Sequence, residues 1–124
     1  MMDYSDLIPK NEKKKDLPDI TFMKSSIIKI EGRSYNVNPR PIYDKLITEI
    51  EEYKNEASSL EVIVDLDVFN TPSAKKLLGV FKSLEGLDAK IIWITEEDDE
   101  DMLEAGEDFE SMIKLPFEFR TKPV

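Results

Sequence analysis

The sequence predicts one α/β domain, a mixed β-sheet with helices packed on it. Short runs of β-branched and apolar residues alternate with stretches whose apolar residues recur every three or four positions, the mark of strands alternating with amphipathic helices. Two strand-like runs come first with only a short polar turn between them, which suits an antiparallel hairpin. All later strands are joined through helices and should be parallel neighbours with right-handed crossovers. The expected order is β-β-α-β-α-β-α-β, and a length of 124 residues with 40% hydrophobic residues suits a single core.

Met1 to Asp19 holds Pro9 and Pro18, polar residues and no periodicity, so residues 1–19 read as a loosely packed tail and residues 20–124 as the domain. Ile20 to Met23 and Ile27 to Glu31 form the hairpin around Lys24, Ser25 and Ser26, and Gly32 should end the second strand. Asn38, Pro39 and Pro41 open a helix that carries Ile42, Tyr43, Leu46, Ile47, Ile50 and Tyr53 on one face. Leu60 to Asp67 reads as a largely buried strand that stops at Phe69 to Pro72. A second helix from Pro72 presents Ala74, Leu77, Leu78, Phe81 and Leu84 and closes at Gly86, a residue suited to a helix C-terminus. Lys90 to Thr95 is another interior strand. The segment from Glu96 on places Met102, Leu103, Gly106, Phe109, Met112 and Ile113 at helical steps beneath a very acidic face. Pro116 to Phe119 supplies the last strand, with proline tolerated at its start.

Composition removes whole classes of chemistry. The sequence has no cysteine and no histidine, so thiolate nucleophiles, disulfides and the commonest general base and metal ligand are absent. Its four glycines, Gly32, Gly79, Gly86 and Gly106, form no phosphate-binding loop, and no cofactor is expected. No apolar run is long enough to span a bilayer, and Met1 to Lys15 lacks the apolar stretch of a secretion signal. The expected location is cytoplasmic.

Charge is concentrated. Ten of the 27 acids lie between Glu96 and Glu110, a stretch without Lys or Arg, so the remaining 17 balance the 17 cations. The whole formal charge of −10 therefore belongs to that segment. Such a balance argues against nucleic acid or an anionic membrane as partner. Lys13 to Lys15 is a short cationic cluster flanked by acids and reads as solvated. The acidic segment is either a solvated helix face or a partner-binding surface that uses Glu100, Glu104 and Asp108. An EF-hand frame with Gly106 at its sixth position puts Leu103 and Ala105 at ligand positions, so that metal pattern fails.

Two polar junctions remain. Asp65 and Asp67 end the central strand, where open α/β sheets often bind ligands. A receiver-type phosphoacceptor would need its acidic pair after the first strand, so a structural role fits both acids better. Asn70-Thr71-Pro72-Ser73 is a good helix start, with a side-chain oxygen free to accept backbone N–H groups. Capping alone explains it, yet the positive helix end also favours a phosphate there.

Four strings add to this reading: Glu31-Gly32-Arg33-Ser34-Tyr35; Phe69-Asn70-Thr71 with Ser73; the acidic run from Glu97 to Phe109; and Leu115-Pro116-Phe117. Together, in order and spacing, they resemble the SiaC family of regulatory phosphoproteins over about Ile20 to Phe119. The resemblance implies a STAS-like fold and a protein-binding switch in a partner-switching system, not an enzyme. It implies a dedicated Ser/Thr kinase, a PP2C-type phosphatase, and an effector bound by the unmodified form. In the SiaC system that effector is a diguanylate cyclase, upstream of cyclic di-GMP and biofilm behaviour. The family's phosphoacceptor falls on Thr71, with Ser73 as the runner-up, and Asn70, Thr71 and Ser73 join the acidic residues as expected partner contacts. Pro72 stands where the family usually has Ser. Two other readings are an anti-sigma factor antagonist with the same switch logic and a small divalent-cation-dependent enzyme or cation binder built on the acidic segment.

Overall fold

A computed structural model describes residues 16–23, 26–53 and 59–123. Five strands form one sheet in the order β1-β2-β3-β4-β5. These are β1 (Asp19–Met23), β2 (Ile27–Ser34), β3 (Ser59–Phe69), β4 (Asp88–Glu96) and β5 (Phe117–Lys122). Helices α1 (Arg40–Tyr53), α2 (Thr71–Leu84) and α3 (Glu100–Met112) connect the last four strands. β1 pairs antiparallel with β2, and all other pairs are parallel. The mixed sheet and element order are those the sequence predicts.

Alternation decides which face is covered. Ile28 and Ile30 of β2, Val62 and Val64 of β3, and Ile91 and Trp93 of β4 are buried in one cluster with Leu46, Leu77, Phe81, Met102 and Phe109 from the three helices. All three helices therefore pack on one face. The opposite face carries ion pairs: Lys29 with Glu31, Lys90 with Glu118, and Lys122 with Asp65.

Several boundaries move. Most of the expected tail lies outside the described residues, but Asp16 to Asp19 are described. Leu17 and Pro18 are buried there, Asp19 opens β1, and the Asp16 carbonyl accepts the Tyr35 N–H at 2.9 Å. The β1–β2 turn at Lys24 and Ser25 lies outside the described residues. Gly32 does not end β2, which runs to Ser34. Gly32 instead adopts φ +100° beside a register shift between β2 and β3, a backbone state open mainly to glycine.

That shift shapes the fold near its polar end. Gly32 pairs with Leu66 and Arg33 with Val68, so Asp67 is an extra, unpaired residue of β3. Up to Leu66 the even-numbered residues of β3 face the helices. After the extra residue Phe69 does so, and its ring meets those of Trp93 and Phe109 at 6.2 and 6.1 Å. At the C-terminal end of α2, Gly86 has φ +93° just after the capping residue Glu85, as the expected helix stop requires.

Candidate functional site

Because Phe69 is anchored in the core, the chain leaves β3 at Asn70 in an extended conformation and enters α2 at Thr71. Asn70 is the N-terminal cap. Its Oδ1 accepts the Ser73 N–H at 3.1 Å, satisfying one of the helix's orphan donors. Its Nδ2 donates to the Asn36 carbonyl at 3.0 Å, and its backbone N–H donates to the Ser34 carbonyl at 3.1 Å. The start of α2 is thus tied to the β2–α1 loop by both its side chain and its main chain.

A buried hydroxyl chain lies beneath this junction. Ser34, Tyr43 and Ser73 are all fully buried. The Ser34 hydroxyl donates to Ser73 Oγ at 2.7 Å, and the Tyr43 hydroxyl lies 2.7 Å from Ser34 Oγ. Ser34 has one proton and gives it to Ser73, so the Tyr43 O–H must donate to Ser34. Burial pushes the Tyr43 phenol well above its ordinary value near 10. Among the described residues no buried side-chain nitrogen or oxygen lacks a partner.

The two candidate acceptors are placed in opposite ways. Thr71 is exposed at the first position of α2, while Ser73 is sealed in the hydroxyl chain. Pro72 has no N–H and the Ser73 N–H is taken by Asn70. Ser34, Asn36 and Tyr43 escaped the sequence reading of the site, because hydroxyls that meet only in the fold leave no local pattern. Ser34 does occur in the Glu31 to Tyr35 string.

The acidic residues sit on a different helix. Asp99 caps α3, its Oδ1 accepting the Met102 N–H at 3.0 Å, and Glu100 and Asp101 in the first turn complement the helix dipole. Glu100, Glu104 and Asp108 are exposed and recur every four residues on one face. Of the three, Asp108 shares a surface with α2. It lines a groove of about 290 Å³ with Phe69, Ala74, Lys75, Leu78 and Met112. Asn70, Thr71 and Ser73 therefore form one cluster, and Glu100 and Glu104 lie apart from it. Asp65 and Asp67 face Lys122, at 2.7 and 4.0 Å, and the bond to Asp65 raises the Lys122 pKa. Among the described residues no three carboxylates gather as a metal-binding set. Among the described residues no helix is long and apolar enough to cross a membrane.

A mixed sheet with three helices on one face, and an exposed hydroxyl on a capped helix start as its distinctive polar feature, defines a small α/β domain. The chain belongs to the SiaC family: the model of the SiaC family regulatory phosphoproteins matches residues 11–122. The fold is similar to that in a structure of the diguanylate cyclase SiaD in complex with its activator SiaC from Pseudomonas aeruginosa, with a TM-score of 0.81 at 21% identity over 89% of this chain and 96% of that one. It is also similar to apo-SiaC from the same organism, with a TM-score of 0.77 at 22% identity over 87% and 93% of the two chains. No curated protein sequence matches the chain.

Proposed function

We propose that this chain is a phosphorylation-controlled switch of a partner-switching system whose unmodified form binds and regulates a diguanylate cyclase. A Ser/Thr kinase and a PP2C-type phosphatase set the state of Thr71. The observation that carries the reading is the contrast at the α2 start, where Thr71 is exposed and Ser73 is buried in a hydroxyl chain. Family membership supports it, and so does the structural relative described as the activator of a diguanylate cyclase.

The mechanism follows from the mount. Asn70 and the Ser34–Ser73 bond hold the first turn of α2 whether or not Thr71 is modified. Phosphorylation adds about −1.5 to −2 charges at neutral pH and three acceptor oxygens, so it changes the surface and leaves the fold intact. Desolvating that dianion against a partner opposes docking, which gives an off state without unfolding. The acidic face of α3, with Glu100, Glu104 and Asp108, is a second contact area for a basic part of a partner. A cytoplasmic location fits a kinase and a cyclase that both consume nucleotides.

The test is an affinity pull-down with unmodified and Thr71-phosphorylated protein, combined with mass spectrometry after incubation with the cognate kinase. The reading requires a stable phosphate on Thr71 and recovery of a cyclase only by the unmodified form. A phosphate mapped to Ser73, or tighter binding by the phosphorylated form, overturns it.

A further inference from the structure

The loop between β2 and α1 offers two apolar side chains to solvent at the place where α2 is tied down. Tyr35 is 52% exposed and Val37 84% exposed, while Asn36 between them is 5% exposed. Isolated surface apolar residues are ordinary. This pair differs because its loop is built. The Tyr35 N–H donates to the Asp16 carbonyl at 2.9 Å, the Asn36 carbonyl accepts from Asn70 Nδ2 at 3.0 Å, and Asn36 Oδ1 accepts the Asn38 N–H at 2.8 Å. Buried Asn36 thus acts as a rivet, and both flanking side chains are held out with little ordering entropy left to lose on binding.

The same bonds place this loop beside Thr71. Ser34 pairs with Phe69 at the last register position of β2 and β3, and Asn36 is bonded to the residue directly before Thr71. Charge completes the picture. Arg33 and Arg40, both exposed, stand at the two ends of the loop, and exposed Lys75 lies one turn beyond Thr71. In a chain with a formal charge of −10, three cations gather at this corner, Arg40 lying 3.9 Å from Asp44.

We infer that Tyr35 and Val37 are the anchors by which the unmodified protein docks its effector, in an apolar socket rimmed by carboxylates that face Arg33 and Arg40. The inference deepens the proposed switch and rests on it. A phosphate on Thr71 repels the partner's carboxylates and offers the arginines an internal counterion, so one modification weakens both the electrostatic and the apolar part of the contact.

The probe is the cyclase recovered with the unmodified protein, purified and titrated against variants of the full chain. Tyr35→Ala and Val37→Asp should each weaken binding at least tenfold with an unchanged melting temperature, since neither side chain contributes to the core. Arg33→Glu with Arg40→Glu should slow association and reduce its salt dependence, while Phe22→Ser on β1 serves as the exposed apolar control. Affinities of the Tyr35 and Val37 variants within twofold of the parent overturn the inference. So does loss of binding confined to Met112→Asp, which assigns docking to the groove between α2 and α3. If the Val37 variant fails to bind while phosphorylated and unmodified protein bind alike, the docking surface stands and the switch reading fails.

Discussion

Gly106 of α3 lies directly against the indole of Trp93 on β4. A Cβ at position 106 would come within 2.5 Å of both Trp93 Cδ1 and Nε1. The indole N–H in turn donates to the Met102 carbonyl at 2.9 Å, and the Trp93 ring meets Phe109 at 5.5 Å. One turn of α3 on each side of Gly106 therefore grips the same tryptophan. The acidic helix is held on the sheet by a close approach that only glycine permits.

Gly106→Ala is expected to destabilise the protein by about 1 to 3 kcal/mol, since overpacking a close-packed core forces a shift of a buried ring or of the helix. Gly79→Ala is the internal control. Gly79 is in α2, its added methyl would meet only Ile47 Cδ1 at 3.5 Å, and the gain in helix propensity should stabilise by up to about 1 kcal/mol. Thermal melts of the two variants should move in opposite directions.

Tyr43→Phe should flatten the loss of stability at alkaline pH. In the folded chain the phenol is held above its ordinary value near 10 by burial, so the neutral form is favoured in the native state. The stabilisation is fully present below the unfolded value of about 10 and is lost as pH rises through the higher folded value, with a slope approaching 1.4 kcal/mol per pH unit. Near neutral pH the variant loses one buried hydrogen bond, about 0.5 to 1.5 kcal/mol. Denaturant melts of both proteins between pH 8 and 11 measure this, and parallel curves would assign the alkaline loss to other groups.

The elements with strong periodicity were legible in the sequence because their signals are local. α1 and α3 announce themselves by apolar spacing, and β4 by Ile91, Ile92, Trp93 and Ile94. The extension of β2 to Ser34 was not legible, since it depends on pairing Arg33 and Ser34 with Val68 and Phe69 across a bulge, a register event with no local signature. Leu17 likewise joins the core from a segment whose composition reads as tail. At the site, Asn70 and Thr71 stood out through their place before Pro72. Their supports, Ser34, Asn36 and Tyr43, come from other elements, and only the fold brings these polar groups together.

Glu104→Lys should stabilise the isolated domain while weakening any contact with a basic partner. Glu104 has Glu100 four residues before it and Asp108 four after, so the substitution turns two repulsive helix pairs into attractive ones, a change of roughly 0.8 to 2 kcal/mol together at low salt. Added salt should shrink the gain. If α3 docks a basic partner, association slows and salt mimics the effect. Binding indifferent to both would remove the face of α3 from the interface.

Thr71→Ala should abolish phosphorylation at almost no cost to the fold. The cap of α2 is Asn70, whose side chain accepts the Ser73 N–H, and Thr71 is an exposed first residue, so the change should stay within about 0.5 kcal/mol. Asn70→Ala, by contrast, loses the cap and the bond to the Asn36 carbonyl, and should cost about 1 to 2 kcal/mol. The pair separates modification from structure. Thr71→Ala is expected to bind the effector constitutively with a parental melting temperature, whereas Asn70→Ala should melt lower and bind more weakly because the β2–α1 loop is released from α2. Intact-mass measurement after kinase treatment should show one added phosphate on the parent and none on Thr71→Ala. A Thr71→Ala protein that still gains a stable phosphate, or that loses effector binding while fully folded, would remove Thr71 from the switch.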